Sequence, residues 1–213
     1  MKLGWALRAM DRPSPWRIGN DALYDLCRAR PRHKKEADVL AKIWLIGRSY
    51  AAAIERRNNG TQDNDRYYVT RVVPAIIKSP MDTWLADARQ AGRASIKSAA
   101  VALEVHRKTT ALFGRISGLN KRSLASKYLH FHVPELFFIY DSRAVAALGA
   151  LRGTVGRASR RESGDDDSEV DGEYRKLYEK SLKLSDHIQA KYNRRWPSPR
   201  QIDDLLLWVH AHR

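Results

Sequence analysis

The sequence predicts an all-α protein. Apolar residues recur at helical spacing, as in Val39, Ile43, Ile46, Tyr50 and Ile54. Helix-start signals stand ahead of such segments: Ser79-Pro80-Met81-Asp82 and Ser198-Pro199 each put a capping hydroxyl before a proline suited to the first helical position. Asn58-Asn59-Gly60 is a matching stop.

Met1 to Gly19, with Trp5, Pro13, Pro15 and Trp16, reads as an irregular arm with aromatic anchors. Asn20 or Asp21 caps a helix that ends near Arg30, because Pro31 follows. A long helix runs from about Lys34 to Arg57, and a polar loop continues to Asp65. Tyr67 to Ile77 has strand-forming residues, but Pro74 forbids a regular central strand, and helix is the assignment. Ser79 caps a helix reaching about Ala91, with Pro80 at its first position. Ser95 to Phe113 and Asn120 to Phe131 are helices, and Pro134 to Tyr140 is extended. Asp141 caps a helix through about Leu148. Gly153 to Gly172 holds few apolar residues and reads as a mobile loop, long enough for an insertion or lid. Helices from Glu173 to about Tyr192 and from Ser198 onward complete the chain, the last with Ile202, Leu205, Leu206 and Val209 on one face.

The 213 residues suffice for one domain, or for two small lobes sharing a core. Lys and Arg number 39 against 24 Asp and Glu, a formal charge of +15 that favours polyanionic partners, nucleic acid first. The single cysteine, Cys27, excludes an intrachain disulfide framework and four-cysteine metal sites. No apolar run approaches the ~18 residues of a membrane span. Met1 to Gly19 lacks the apolar stretch of a signal peptide, so the expected compartment is the cytoplasm. His130 and His132 stand two apart, do not share a helix face and have no acidic or cysteine cluster to complete a metal set; packing or a phosphate contact is the expectation for both. No cofactor is implied.

The most informative stretch is Leu112 to Ala147. A helix ends at Leu112-Phe113-Gly114-Arg115-Ile116-Ser117, Gly118-Leu119-Asn120 forms a tight connection, and a second helix starts at once through Lys121-Arg122-Ser123-Leu124-Ala125. A glycine at the turn admits positive φ and keeps side chains out of the way. The amides opening the second helix can then grip a phosphate. An ordinary αα-hairpin with a glycine cap is the alternative.

This stretch resembles the helix-hairpin-helix motif, with Asn120 where the motif carries its second glycine. Asn is the next-best residue in left-handed backbone space. Phe137-Phe138-Ile139-Tyr140-Asp141 then resembles the segment that carries the aspartate of helix-hairpin-helix DNA glycosylases. Asp141 lies 23 residues after Gly118, similar to the 8-oxoguanine glycosylase branch. The resemblance covers about Leu112 to Leu148. It implies two helical lobes: residues 20–92 with 173–213, and a hairpin lobe at 95–150, within one unit over 1–213. It further implies a monomer acting on double-stranded DNA that contains a modified base, either in base-excision repair or in defence against phage DNA with hypermodified bases such as glucosylated hydroxymethylcytosine. The rival class is a helix-hairpin-helix module that binds DNA without chemistry.

Breaking an N-glycosidic bond builds positive charge on the sugar, and an ionised carboxylate near C1′ stabilises it. Asp141 takes that role by the resemblance. The lysine that forms a Schiff base in bifunctional members corresponds by residue count to Arg122, which cannot be a nucleophile. Lys121 serves only if the hairpin is shifted by one residue. Hydrolysis by water, with no lyase step, is therefore expected. Gly118, Asn120, Lys121, Arg122, Ser123, Lys127 and Arg143 are the candidate DNA contacts, and Arg143 could instead pair with Asp141. Trp16, Tyr24, Trp44, Tyr50, Tyr67, Tyr68 and Trp84 are candidates to stack on a flipped base.

Overall fold

Local sequence signals position most helix ends, and the exceptions have identifiable causes. The computed structural model describes residues 3–11, 15–56, 64–156 and 171–212, and every regular element among them is helical. Helix α1 (Leu3–Ala6) runs into a 3-10 turn (Leu7–Asp11), followed by α2 (Arg17–Ala29) and α3 (Glu36–Ser49). Helix α2 begins ahead of the expected Asn20 or Asp21 cap, with Trp16 at its N-terminal boundary. Helix α3 stops eight residues before the expected Arg57. There the chain folds back over Gly47, where an added Cβ would lie 3.1 Å from Ala53 Cα, and the Ala52 amide donates to Gly47 O at 2.8 Å.

Residues Tyr67 to Ile77 are helical as expected but not uniformly so, and the helix starts earlier, at Asn64, inside the stretch expected to be loop. Helix α4 (Asn64–Tyr67) widens into a π turn (Tyr68–Val72) before α5 (Val73–Ile77). The widening abuts Pro74, which has no N–H to give and whose ring crowds the preceding turn. Helix α6 (Met81–Gln90) starts one residue later than expected: Pro80 precedes the first turn, and Ser79 does not cap but donates to Ile76 O at 2.6 Å. Helix α7 (Ala99–Ser117) starts after a serine-bonded turn in which Ser98 Oγ donates to Arg93 O at 2.8 Å.

Helix α8 (Arg122–His132) is the centre of the molecule, packed against α2, α3 and α7. Every residue from Leu124 to His132 is buried. Val133 to Leu136 forms a turn, so the expected extended segment is shorter than Pro134 to Tyr140. Asp141 caps α9 (Ser142–Ala150) by accepting from the Arg143 amide. The short α10 (Arg152–Val155) buries Val155 in the stretch read as a loop, while residues 157–170 lie outside the described residues. Helix α11 (Gly172–Tyr192) is capped by Asp171, and α12 (Pro199–Ala211) by a full capping box of Ser198 and Gln201. Helix α12 lies on α9 and on the amino-terminal 3-10 turn. No helix among the described residues is long and apolar enough to cross a membrane.

The candidate site at the amino end of α9

Gly118 terminates α7 in the left-handed region, at φ 70° and ψ 5°, and its amide donates to Gly114 O at 2.8 Å. A Cβ there would meet nothing within 4 Å, so only the backbone conformation requires glycine. Asn120 does not take the left-handed conformation expected of it. Its side chain works instead as a cap, Oδ1 accepting from the Arg122 amide at 3.0 Å. A glycine would leave that amide open, so Asn120 occupies one of the donors that the hairpin would offer to a phosphate.

The cations after the hairpin are not where a phosphate track would put them. Lys121 is buried, and its ammonium donates to Arg56 O at 2.8 Å and Ala53 O at 3.4 Å. This binds the start of α8 to the loop after α3. Arg122 donates through Nε to both Asp171 oxygens, at 2.6 and 2.7 Å, and lies over the Tyr140 ring. Lys127, read as a phosphate contact, is only 1% exposed. Its ammonium donates to Ser123 Oγ at 2.6 Å, to Tyr140 O at 3.2 Å and to Asp141 Oδ2 at 3.5 Å. Ser123 donates in turn to Tyr140 O at 3.1 Å, so its hydroxyl belongs to this network. His130 and His132 are buried too, bonded to Phe137 O and Tyr128 O, which removes the phosphate contact considered for them.

Of these residues Lys127 reaches Asp141, where Arg143 joins it. One carboxylate oxygen faces Lys127, and the other accepts from the Arg143 amide at 2.9 Å and Arg143 Nε at 3.1 Å. Burial alone would raise the Asp141 carboxyl. The Arg143 hydrogen bonds and the Lys127 charge outweigh it and hold the carboxyl below its usual value. Lys127 is affected in the opposite sense: burial lowers its amine against the pull of Asp141 and Asp203.

Arg143 also lines a cavity of about 470 Å³ with Trp16, Asn20, Tyr50, Arg200 and Asp203. Trp16 is 78% exposed, and Tyr50 donates to Asn20 Oδ1 at 2.6 Å. Arg200 stacks over Tyr24, Tyr50 and Phe131 at 5.6 to 5.8 Å and donates to Asp203 Oδ2 at 2.9 Å. A second cavity of about 530 Å³ lies on Tyr24, Cys27, Arg89 and His132. It shares Arg200 but touches neither Arg143 nor Asp203, and burial pushes the Cys27 thiol up to about 12, which leaves it inert as a nucleophile.

Of the aromatic candidates, Trp16 and Tyr50 reach the first cavity, whereas Tyr67 and Tyr68 are core residues. Sequence reasoning missed Asn20 as a wall residue, and Arg200, Asp203 and Asp204 altogether. A signal for Asp203 was present: it sits on the stripe Pro199, Ile202, Leu206 and Val209, an acidic residue on an otherwise apolar helix face. Among the described residues no group of three His, Cys, Asp or Glu could hold a metal ion. Comparison with known proteins adds no relative: no family model, no curated protein and no solved structure matches this chain.

Proposed function

We propose that this protein is a DNA glycosylase of the two-lobed helix-hairpin-helix kind, which flips a modified base out of double-stranded DNA and hydrolyses its N-glycosidic bond. The observation that carries the reading is the setting of Asp141. It is a carboxylate at a helix start, kept ionised by Lys127 and Arg143, and Arg143 reaches into a cavity with aromatic and polar walls. An ionised carboxylate suits the positive charge that develops on the sugar. Trp16 and Tyr50 suit a base held by stacking, and Asn20, Asp203 and Asp204 suit the polar edge of such a base. The left-handed Gly118 and the net charge of +15 favour contact with DNA phosphates.

The cavity volume of about 470 Å³ falls within the ~300–1,000 Å³ range of small-molecule sites. It leaves room for a base with a bulky substituent, so repair and defence substrates both belong in the assay. Duplexes containing uracil, 8-oxoguanine or alkylated purines, and phage DNA with glucosylated hydroxymethylcytosine, are incubated with the protein and abasic sites are counted. The parent releases at least one of these bases. Asp141→Asn retains DNA binding and slows release by ~100-fold or more, the scale of losing an electrostatic stabiliser. DNA binding with no abasic sites from any substrate would instead support a non-catalytic DNA-binding module.

A further inference from the structure

Two carboxylates lie close to the Lys127 charge in opposite electrostatic settings. Asp141, at the start of α9, is half-buried and surrounded by donors. Asp203, on the α12 helix that covers α9, is only 5% exposed and receives a single side-chain hydrogen bond, from Arg200 Nη1. Asp203 and Arg143 are walls of one cavity, and Arg143 holds Asp141. We propose that Asp203 is the proton donor to the departing base, held in place by Arg200, while Asp141 remains the ionised group that faces the sugar. This rests on the glycosylase reading and adds the acid partner it lacks.

The charged surroundings of Asp203 favour this division. From its own helix it faces Arg200 and Asp204, from α8 Lys127, from α9 Asp141, and from the α2 and α3 side Tyr24 and Tyr50. The 3-10 turn packed on α12 contributes the buried Leu7 and Met10. Burial, opposed by Arg200 and reinforced by Asp204, raises the Asp203 carboxyl to about 6. Two carboxylates driven apart in this way are the usual basis for separate acid and base roles. Base entry expels water from the cavity, which favours the neutral acid further.

In the step, Asp203 gives its proton to a ring nitrogen or carbonyl oxygen of the flipped base. The C1′–N bond breaks and its electron pair leaves with the protonated base, which departs neutral. Water adds to C1′ and passes one proton to Asp141. Asp141 releases that proton to solvent, and Asp203 takes up another.

The test is single-turnover base release across about pH 6 to 9, above the acid range in which the buried histidines destabilise the protein, on whichever duplex of the panel the parent cleaves. The parent rate should fall about tenfold per pH unit on the alkaline side of the Asp203 titration, and Asp203→Asn should be slower by about 100- to 10,000-fold with that limb gone. The amide oxygen can still accept from Arg200, and DNA affinity should stay within about threefold. If the variant does not fold, the parent profile decides: a rate that does not decline toward alkaline pH overturns the proposal. A variant that cleaves within tenfold of the parent and keeps its pH profile also overturns the proposal, with the glycosylase reading intact. A parent that releases no base from any substrate overturns both.

Discussion

Three cations follow the hairpin, and the structure engages each of them. Lys121 is fixed to two backbone carbonyls, Arg122 to Asp171, and Lys127 to Ser123, Tyr140 and Asp141. A Schiff base needs a neutral amine with access to C1′. Lys127 has a lowered pKa but no exposure, and Lys121 has its ammonium enclosed by carbonyl oxygens. Borohydride should therefore trap no covalent adduct between the parent and its substrate DNA, and abasic sites should persist until alkali or heat cleaves them. A trapped adduct that disappears in Lys127→Gln would show that the buried amine swings out to the sugar. One that disappears in Lys121→Gln would show that the carbonyl cage opens on DNA.

At the scale of elements, the hairpin and α12 do different work. Gly118 is exposed and bears a positive φ that no neighbouring atom demands. Gly118→Ala should cost about 1 kcal/mol through the backbone alone. Its effect on DNA should be a weakening common to all sequences, because a phosphate contact carries no base information. Fluorescence anisotropy on several duplexes, with and without a modified base, measures this; a loss confined to one base would place the hairpin in the pocket instead. Helix α12 supplies the cavity residues Arg200, Asp203 and Asp204, and its capping box sets where these side chains stand.

At the scale of the whole molecule, the core contains neutral histidines that acid must charge. Burial, then the charge of Lys42, lowers His33 to about 4. Burial lowers His106 to about 4 as well, and holds His130 and His132 well below the ordinary value. Between the unfolded value near 6.5 and pH 4 the unfolded chain binds protons at these sites and the native protein does not. Stability is therefore present above about pH 6.5 and is lost as the pH falls, about 3 kcal/mol from His33 alone by pH 4. The raised Asp203 and Asp204 oppose this over part of the range, two carboxyls against four imidazoles. Thermal unfolding by circular dichroism should show Tm falling steadily from pH 7.5 to pH 4.5. A flat profile would mean that the buried imidazoles take up protons in the native protein as readily as in the unfolded chain.

Helix periodicity, the Gly118 turn, the Asp141 cap and the Ser198-Pro199 start were legible in the sequence because each depends on residues within a turn or two of one another. The end of α3 was not, since it depends on the chain recrossing Gly47. Nor was the environment of the charged residues. Lys127 looks like a surface cation until α8 is enclosed by α2, α3 and α7. Tyr24 and Arg200 meet across 176 residues of chain, and both line the second cavity. The sequence by itself determined the helical class and the local hydrogen-bonding roles of Gly118 and Asp141. Tertiary structure alone decided which charges are buried and which carboxylates surround Lys127, because desolvation and charge pairing act through space between segments that no local pattern brings together.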